Sequence, residues 1–288
     1  MNPVLAGVLS ALSLGTADFA GRFATRAWGA PNVLLGVFAS SFALLSLWAI
    51  ARGIAVPELG PGSVHVALNG AATALMTVFL YLSLARGPIS VAAPIVASHP
   101  AVVLAVWFAL GETPNAYQWL GMAMTIAGAV IAARSADKSA APAGGMRPTI
   151  LMAGAACACY VGLVVFGQLA VRHYGPFEAL WQGRGVSLAG TLVFLAFARA
   201  VGLGAAPRMK ARAWAPLAGL GVLDAAGYLF LFAGSVGDVQ TVAPVVGSAF
   251  GAITVILARV FLREKMGALQ WIGIALVTAG VAVLAGKS

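Results

Sequence analysis

The chain has 288 residues, of which 61% are hydrophobic and 9% charged, and its mean hydropathy is +0.96. Soluble globular domains carry about 25% charged residues, so this composition excludes a soluble enzyme or binding module and defines a membrane chain with little left for a soluble domain. The formal net charge of +9 would point to nucleic acid in a soluble protein, but here Lys and Arg cluster at the ends of apolar runs, where membrane orientation accounts for them and no nucleic acid is expected.

A bilayer core about 30 Å thick takes about 20 apolar residues per helix. Runs of that kind follow in order at 3–22, 33–51, 64–85, 89–109, 116–134, 148–171, 177–198, 213–234, 239–261 and 267–285. The first run is preceded only by Met1-Asn2, without a basic n-region, so it is expected to be kept as a helix and not cleaved. Turn chemistry marks the breaks: Gly29-Ala30-Pro31-Asn32, residues 57–62, Arg86-Gly87-Pro88, Glu112-Thr113-Pro114-Asn115 and Tyr174-Gly175-Pro176. Only residues 135–147, rich in Ala, Gly and charge, resemble a linker. The predicted fold class is an all-α polytopic membrane protein of ten transmembrane helices, five in 1–134 and five in 148–288.

The two halves repeat each other. Ala93-Pro94-Ile95-Val96-Ala97-Ser98 returns as Ala243-Pro244-Val245-Val246-Gly247-Ser248, and Gln118-Trp119-Leu120-Gly121 returns as Gln270-Trp271-Ile272-Gly273, with Glu112 and Glu264 between the blocks. A period of half the chain is an internal duplication, not a short-repeat solenoid. An odd number of spans per copy inverts the second copy relative to the first. The basic residues agree, since Glu112-Thr113-Pro114-Asn115 has none whereas Arg263-Glu264-Lys265-Met266 has two. Summed over all loops, the bias puts those after odd-numbered runs in the cytoplasm and both termini outside.

Small residues mark helix interfaces, because close backbone approach supplies the dispersion contacts that hold membrane helices together. Gly247 and Gly251 form one such step. Gly121 with Gly128, and Gly273 with Gly280, form others on spans five and ten, where they are packing grooves or, alternatively, a dimer face.

Polar stripes give the candidate site. Span three carries Asn69, Thr73, Thr77 and Tyr81 at steps of four, and span eight carries Asp224 and Tyr228 in the same step. Span four has Ser90, Pro94 and Ser98, and span nine has Gln240, Pro244 and Ser248 in register with them. A single hydroxyl is most simply satisfied by the carbonyl one turn back, but inverted copies gather matched polar faces around a pseudo-two-fold axis near the midplane. Pro94 and Pro244 each remove a helix hydrogen bond, making them hinges or fixed kinks.

An ionised group near the bilayer centre costs at least about 2.5–3.5 kcal/mol. His99 and Asp224, both near mid-span, are therefore proton-coupling candidates, with a packed neutral imidazole as the alternative for His99. Asp18, near the end of span one, is equally an interfacial residue. Arg184 either snorkels or pairs with an aspartate of another helix. Tyr81, Tyr160 and Tyr228 form an aromatic lining or pack with satisfied hydroxyls, while Trp28, Trp48, Trp119 and Trp271 fit interfacial belts. Cys157 and Cys159 point about 200° apart on a helix, which suits packing, not a metal site or a mutual disulfide.

The repeated Ala-Pro-x-Val-small-Ser, the Gly-Glu or Arg-Glu that follows, and Gln-Trp-x-Gly before a small-residue helix resemble the drug/metabolite transporter superfamily, specifically its EamA-type exporters. The resemblance is strongest over 88–134 and 239–285. It implies a central cavity lined by spans one, three, four, six, eight and nine, working by alternating access, and relatives that export amino acids, aromatic ones among them, and other metabolites. Many such relatives hold both termini in the cytoplasm, the reverse of the charge count, and Arg263 departs from the usual Gly-Glu. The expected substrate contacts are Thr77, Tyr81, Ser98, His99, Tyr160, Asp224, Tyr228 and Ser248, in a monomer of the bacterial inner membrane. No HExxH, Gly-x-Ser-x-Gly or phosphate-cradling loop appears, so neither an intramembrane enzyme nor a cofactor or metal is expected. A channel or a non-transporting scaffold is the alternative.

Overall fold

The computed structural model describes residues 1–109, 111, 115–135, 145–200, 211–236, 242–264 and 266–285. Among them the regular structure is entirely helical: α1 (Pro3–Trp28), α2 (Ala30–Ala51), α3 (Ser63–Arg86), α4 (Ile89–Ala97), α5 (His99–Ala109), α6 (Ala116–Arg134), α7 (Arg147–Tyr174), α8 (Pro176–Ala200), α9 (Trp214–Ala233), α10 (Val242–Gly247), α11 (Phe250–Phe261) and α12 (Ala268–Ala285), with a short 3-10 turn before α9. Eight segments are long and apolar enough to cross a membrane: α1, α2, α3, the pair α4 and α5, α6, α7, α9, and the pair α10 and α11. The shorter apolar α12 and the long α8 occupy the two remaining predicted runs.

Local chemistry sets the ends. Asn2 accepts from the amides of Val4 and Leu5, with Pro3 in the first turn where no N–H is needed. Asn115 and Gln118 close a reciprocal capping box on α6. The turn expected at 29–32 shrinks to Gly29 alone, at φ 78°, because Pro31 fits the first turn of α2 and the Asn32 amide donates to the Trp28 carbonyl. Of the predicted linker, 136–144 lie outside the described residues, as do Glu112 and Gln240.

Packing pairs off between the halves. α3 lies along α7 as α1 lies along α9; α2 touches α9 as α3 touches α8; α1 meets α10 and α11 as α7 meets α4 and α5. α4 packs on α11, and α6 on α12. Exchanging the halves maps the first three sets of pairings onto one another and α6–α12 onto itself, whereas α4–α11 has no comparable counterpart between α5 and α10 among the described residues.

The α6–α12 contact explains the glycines of spans five and ten. A Cβ on Gly128 would sit 2.6 Å from the Gly273 oxygen, and one on Gly273 2.8 Å from the Gly128 oxygen; Gly121 and Gly280 stand in the same reciprocal relation at 2.9 and 2.8 Å. These glycine faces are spent on each other inside one chain. Because the clash is with backbone, Gly280→Val is expected to cost about 1–3 kcal/mol, read as a lowered Tm in detergent. Gly219→Ala on α9, where a Cβ meets nothing, is expected to raise stability by about 0.5–1 kcal/mol.

Candidate functional site

The bundle closes around a cavity lined by Leu14 and Asp18 of α1, Met76, Thr77, Leu80 and Tyr81 of α3, Tyr160 of α7, Asp224 and Tyr228 of α9, and Phe250 of α11. Its free space is about 10 Å³, enough for one water at most. Both halves of the chain contribute walls. Thr77, Tyr81, Tyr160, Asp224 and Tyr228, all expected from the stripes, meet here, and Asp18 joins them.

Beside the cavity Arg184 of α8 reaches Asp224, Nη2 to Oδ2, at 2.6 Å. Its guanidinium also stands over the rings of Tyr228, at 4.8 Å, and Phe38, at 5.6 Å. Arg184 is 2% exposed, so it does not snorkel; the expected aspartate of another helix is its partner. None of its three guanidinium nitrogens makes a hydrogen bond of good geometry among the described residues, so the contact with Asp224 is a charge pairing. A cation this deep is tolerable only because the carboxylate and two π faces replace its water.

The stripe on α3 is partly self-satisfied. Thr73 donates to Asn69 O and Thr77 to Thr73 O, each at 2.8 Å, while the Asn69 amide donates to Leu163 O at 2.7 Å and ties α3 to α7. The Thr77 oxygen keeps its acceptor capacity toward the cavity.

The helices carrying the repeated Ala-Pro motif are broken, not merely kinked. α4 stops at Ala97 and α5 starts at His99; α10 stops at Gly247 and α11 starts at Phe250. Both breaks fall four residues after the prolines, Pro94 and Pro244. The Ser98 hydroxyl donates to Ile95 O at 2.6 Å and the Ser248 hydroxyl to Val245 O at 2.7 Å, the same bond in each half. Neither serine lines the central cavity: Ser98 also lies 3.7 Å from the Cys157 sulfur, and Ser248 borders a separate crevice against α12. His99 stands behind the wall, its ring stacked 3.9 Å from that of Tyr160 and also parallel to Phe250, with Nδ1 on Val96 O at 3.1 Å and Nε2 without a hydrogen-bond partner among the described residues.

Pro94 cannot donate to the Ser90 carbonyl. The side chain of Gln270 fills that role from α12, Nε2 to O at 3.2 Å. Gln270→Leu should leave this buried carbonyl bare and cost about 1–3 kcal/mol, visible as a lower Tm.

At one end of the bundle Glu264 organises a cluster of contacts that residue patterns do not reveal. Its carboxylate accepts from Arg22 Nη1 at 2.6 Å and from the amides of Ile89 and Ser90, the first turn of α4, at 3.1 and 3.2 Å. A carboxylate capping a helix N-terminus satisfies orphan donors and meets the positive end of the dipole. Arg259 holds the Glu264 carbonyl at 3.1 Å. The residue before the glutamate adopts positive φ in both halves, 107° at Gly111 and 53° at Arg263. That geometry explains why glycine suits this position, and the Arg263 side chain costs about 1–2 kcal/mol there.

The chain is thus a polytopic helical membrane protein with a small cavity, lined by carboxyl and tyrosine side chains, between its two halves and flanked by two discontinuous helices. The chain belongs to the EamA-like transporter family, within the drug/metabolite transporter superfamily, matching it over residues 1–134 and 147–286. It is 25% identical over 222 residues to an uncharacterized transporter of Synechocystis sp., a stretch that is 73% of this chain and 63% of that relative's length. A crystal structure of another protein shares the fold, with a TM-score of 0.70 at 20% identity over 98% of this chain and 96% of that one.

Proposed function

We propose that this protein is a secondary transporter that exports small amphipathic metabolites, amino acids and aromatic ones among them, from a bacterial cell across its inner membrane. The observation that carries this is the small cavity walled by both halves, lined by three tyrosines and Asp224, with the buried Asp224–Arg184 pair at its side. In this scheme the chain has ten spans in two inverted five-helix repeats, and the paired packing of the halves supports it. Thr77, Tyr81, Tyr160, Asp224 and Tyr228 contact the substrate directly. His99 backs Tyr160, and Ser98 and Ser248 mark the joints at which the broken helices re-aim.

Alternating access then means opening one end while the other stays shut. The Arg22–Glu264–α4 assembly is the lock of one end. A proton can travel with substrate through Asp224 or His99. A channel is the less favoured function, because room for one water leaves no open pore in this conformer. The protein acts as a monomer, since its glycine faces are already paired.

Counterflow in liposomes is the test: protein preloaded with a mixed pool of unlabelled amino acids and small metabolites should accumulate labelled members of that pool, saturably. Continuous current in planar bilayers without counterflow would instead make it a channel, and neither activity would leave the scaffold alternative. An imposed pH gradient that does not change exchange would remove the proton role.

A further inference from the structure

The cavity holds more acidic side chains than basic ones. Two carboxylates, Asp18 and Asp224, line it, and the one guanidinium beside it, Arg184, is committed to Asp224 at 2.6 Å. Asp18 is 9% exposed, faces the cavity, and makes no hydrogen bond or ion pair among the described residues. The nearest cation along its own helix is Arg22, one turn on, where an acidic residue followed four later by a basic one would normally pair. Arg22 is instead bound to Glu264 at 2.6 Å. With Arg184 committed to Asp224, Asp18 is left without a countercharge at a largely buried position, where its ionised form is unfavourable unless a cation arrives beside it.

The surroundings say which cation. Tyr81 lies against α1 close to Asp18, near enough that a Cβ on Gly21 would meet its ring at 2.8 Å. Tyr160 and Phe250 stack at 5.7 Å between centroids, and Tyr228 joins them at 6.3 Å from Tyr160. A compact metal ion needs several oxygen ligands, whereas one carboxylate among π faces suits an ammonium group, which gains charge pairing and cation–π contact together. We propose that Asp18 is the carboxylate that binds the ammonium group of the substrate, so that this transporter selects small molecules carrying a free amine. The assignment rests on the transport function proposed above and narrows its substrate class.

The experiment is counterflow in liposomes with three labelled probes: phenylalanine, phenethylamine and N-acetylphenylalanine. Wild-type protein should exchange the first two and reject the third, whose amine is no longer charged. Asp18→Asn should reduce exchange of both amines by about 30-fold or more, and Asp18→Glu should restore part of it. Because Asp18→Asn could fold poorly, the probe panel on wild-type protein stands independently. Equal exchange of N-acetylphenylalanine, or unchanged amine exchange by a folded Asp18→Asn, would overturn the assignment while leaving transport intact. Exchange of none of the probes also overturns it, and the metabolite-pool assay then decides separately whether the protein transports at all. Loss of pH-gradient dependence alone in Asp18→Asn would make Asp18 a proton carrier and likewise refute the ammonium role.

Discussion

Arg184→Met is expected to destabilise the protein by about 3–5 kcal/mol, because it strands the Asp224 carboxylate inside the membrane without its partner. Thermal denaturation in detergent measures this. The double variant Arg184→Met with Asp224→Leu should recover most or all of the lost stability, since replacing a buried ion pair by apolar side chains of similar volume is often neutral or favourable. Counterflow should nonetheless stay abolished in the double variant, because the pair sits at the cavity wall and orients Tyr228. A double variant that transports normally would reduce the pair to a packing feature, and a single variant with unchanged Tm would show that Asp224 is already neutral or solvated.

Glu264→Ala carries the second large effect. It removes the partner of Arg22 and two charge-assisted caps on α4, and hydrogen bonds to charged groups are worth about 1.5–3 kcal/mol. A loss of that size confined to the closed state moves the closed-to-open ratio by roughly 10- to 150-fold. A cysteine introduced as Leu14→Cys, in a Cys157→Ala and Cys159→Ala background, should then be alkylated faster by on the order of tenfold or more. An unchanged rate would remove Glu264 from the closure. The swap Arg22→Glu with Glu264→Arg separates the two contributions. It restores an ion pair, but arginine has no acceptor for the Ile89 and Ser90 amides, so recovery should be partial; full recovery would mean the cap carries no weight.

What the sequence allows differs by the kind of contact. Thr77, Tyr81, Asp224 and Tyr228 were legible because steps of four hold side chains on one helix face, and repetition in both halves singled out the faces that converge. Ser98 and Ser248 sit on an equally regular stripe yet stay outside the cavity, because each hydroxyl is satisfied one turn back at a helix break. That Arg184 needs an aspartate follows from burial alone. The choice of Asp224 over Asp18 depends on how α8 crosses α9, which spacing does not encode. Asp18 itself lacked a repeated counterpart and so stood out least.

The role of Glu264 was hidden for a different reason. Its partners Ile89 and Ser90 contribute backbone amides, which leave no trace in side-chain pattern. The available clue was positional: a glycine at 111 and an arginine at 263, each before a glutamate, both in the positive-φ region. Gln270 is similar, since the repeated Gln-Trp pair marks the duplication without saying what either glutamine does. Gln118 caps its own helix while Gln270 supports the carbonyl freed by Pro94.

The near-absence of free space in the central cavity has a consequence for the energetics of the working cycle. A chamber of about 10 Å³ holds one water at most, so seating any molecule larger than water there requires the surrounding helices to move apart. The proposed opening exposes buried surface to water, and its equilibrium is expected to depend on water activity. Solutes excluded from the protein surface favour burial, so the proposed exchange is expected to slow as their concentration rises.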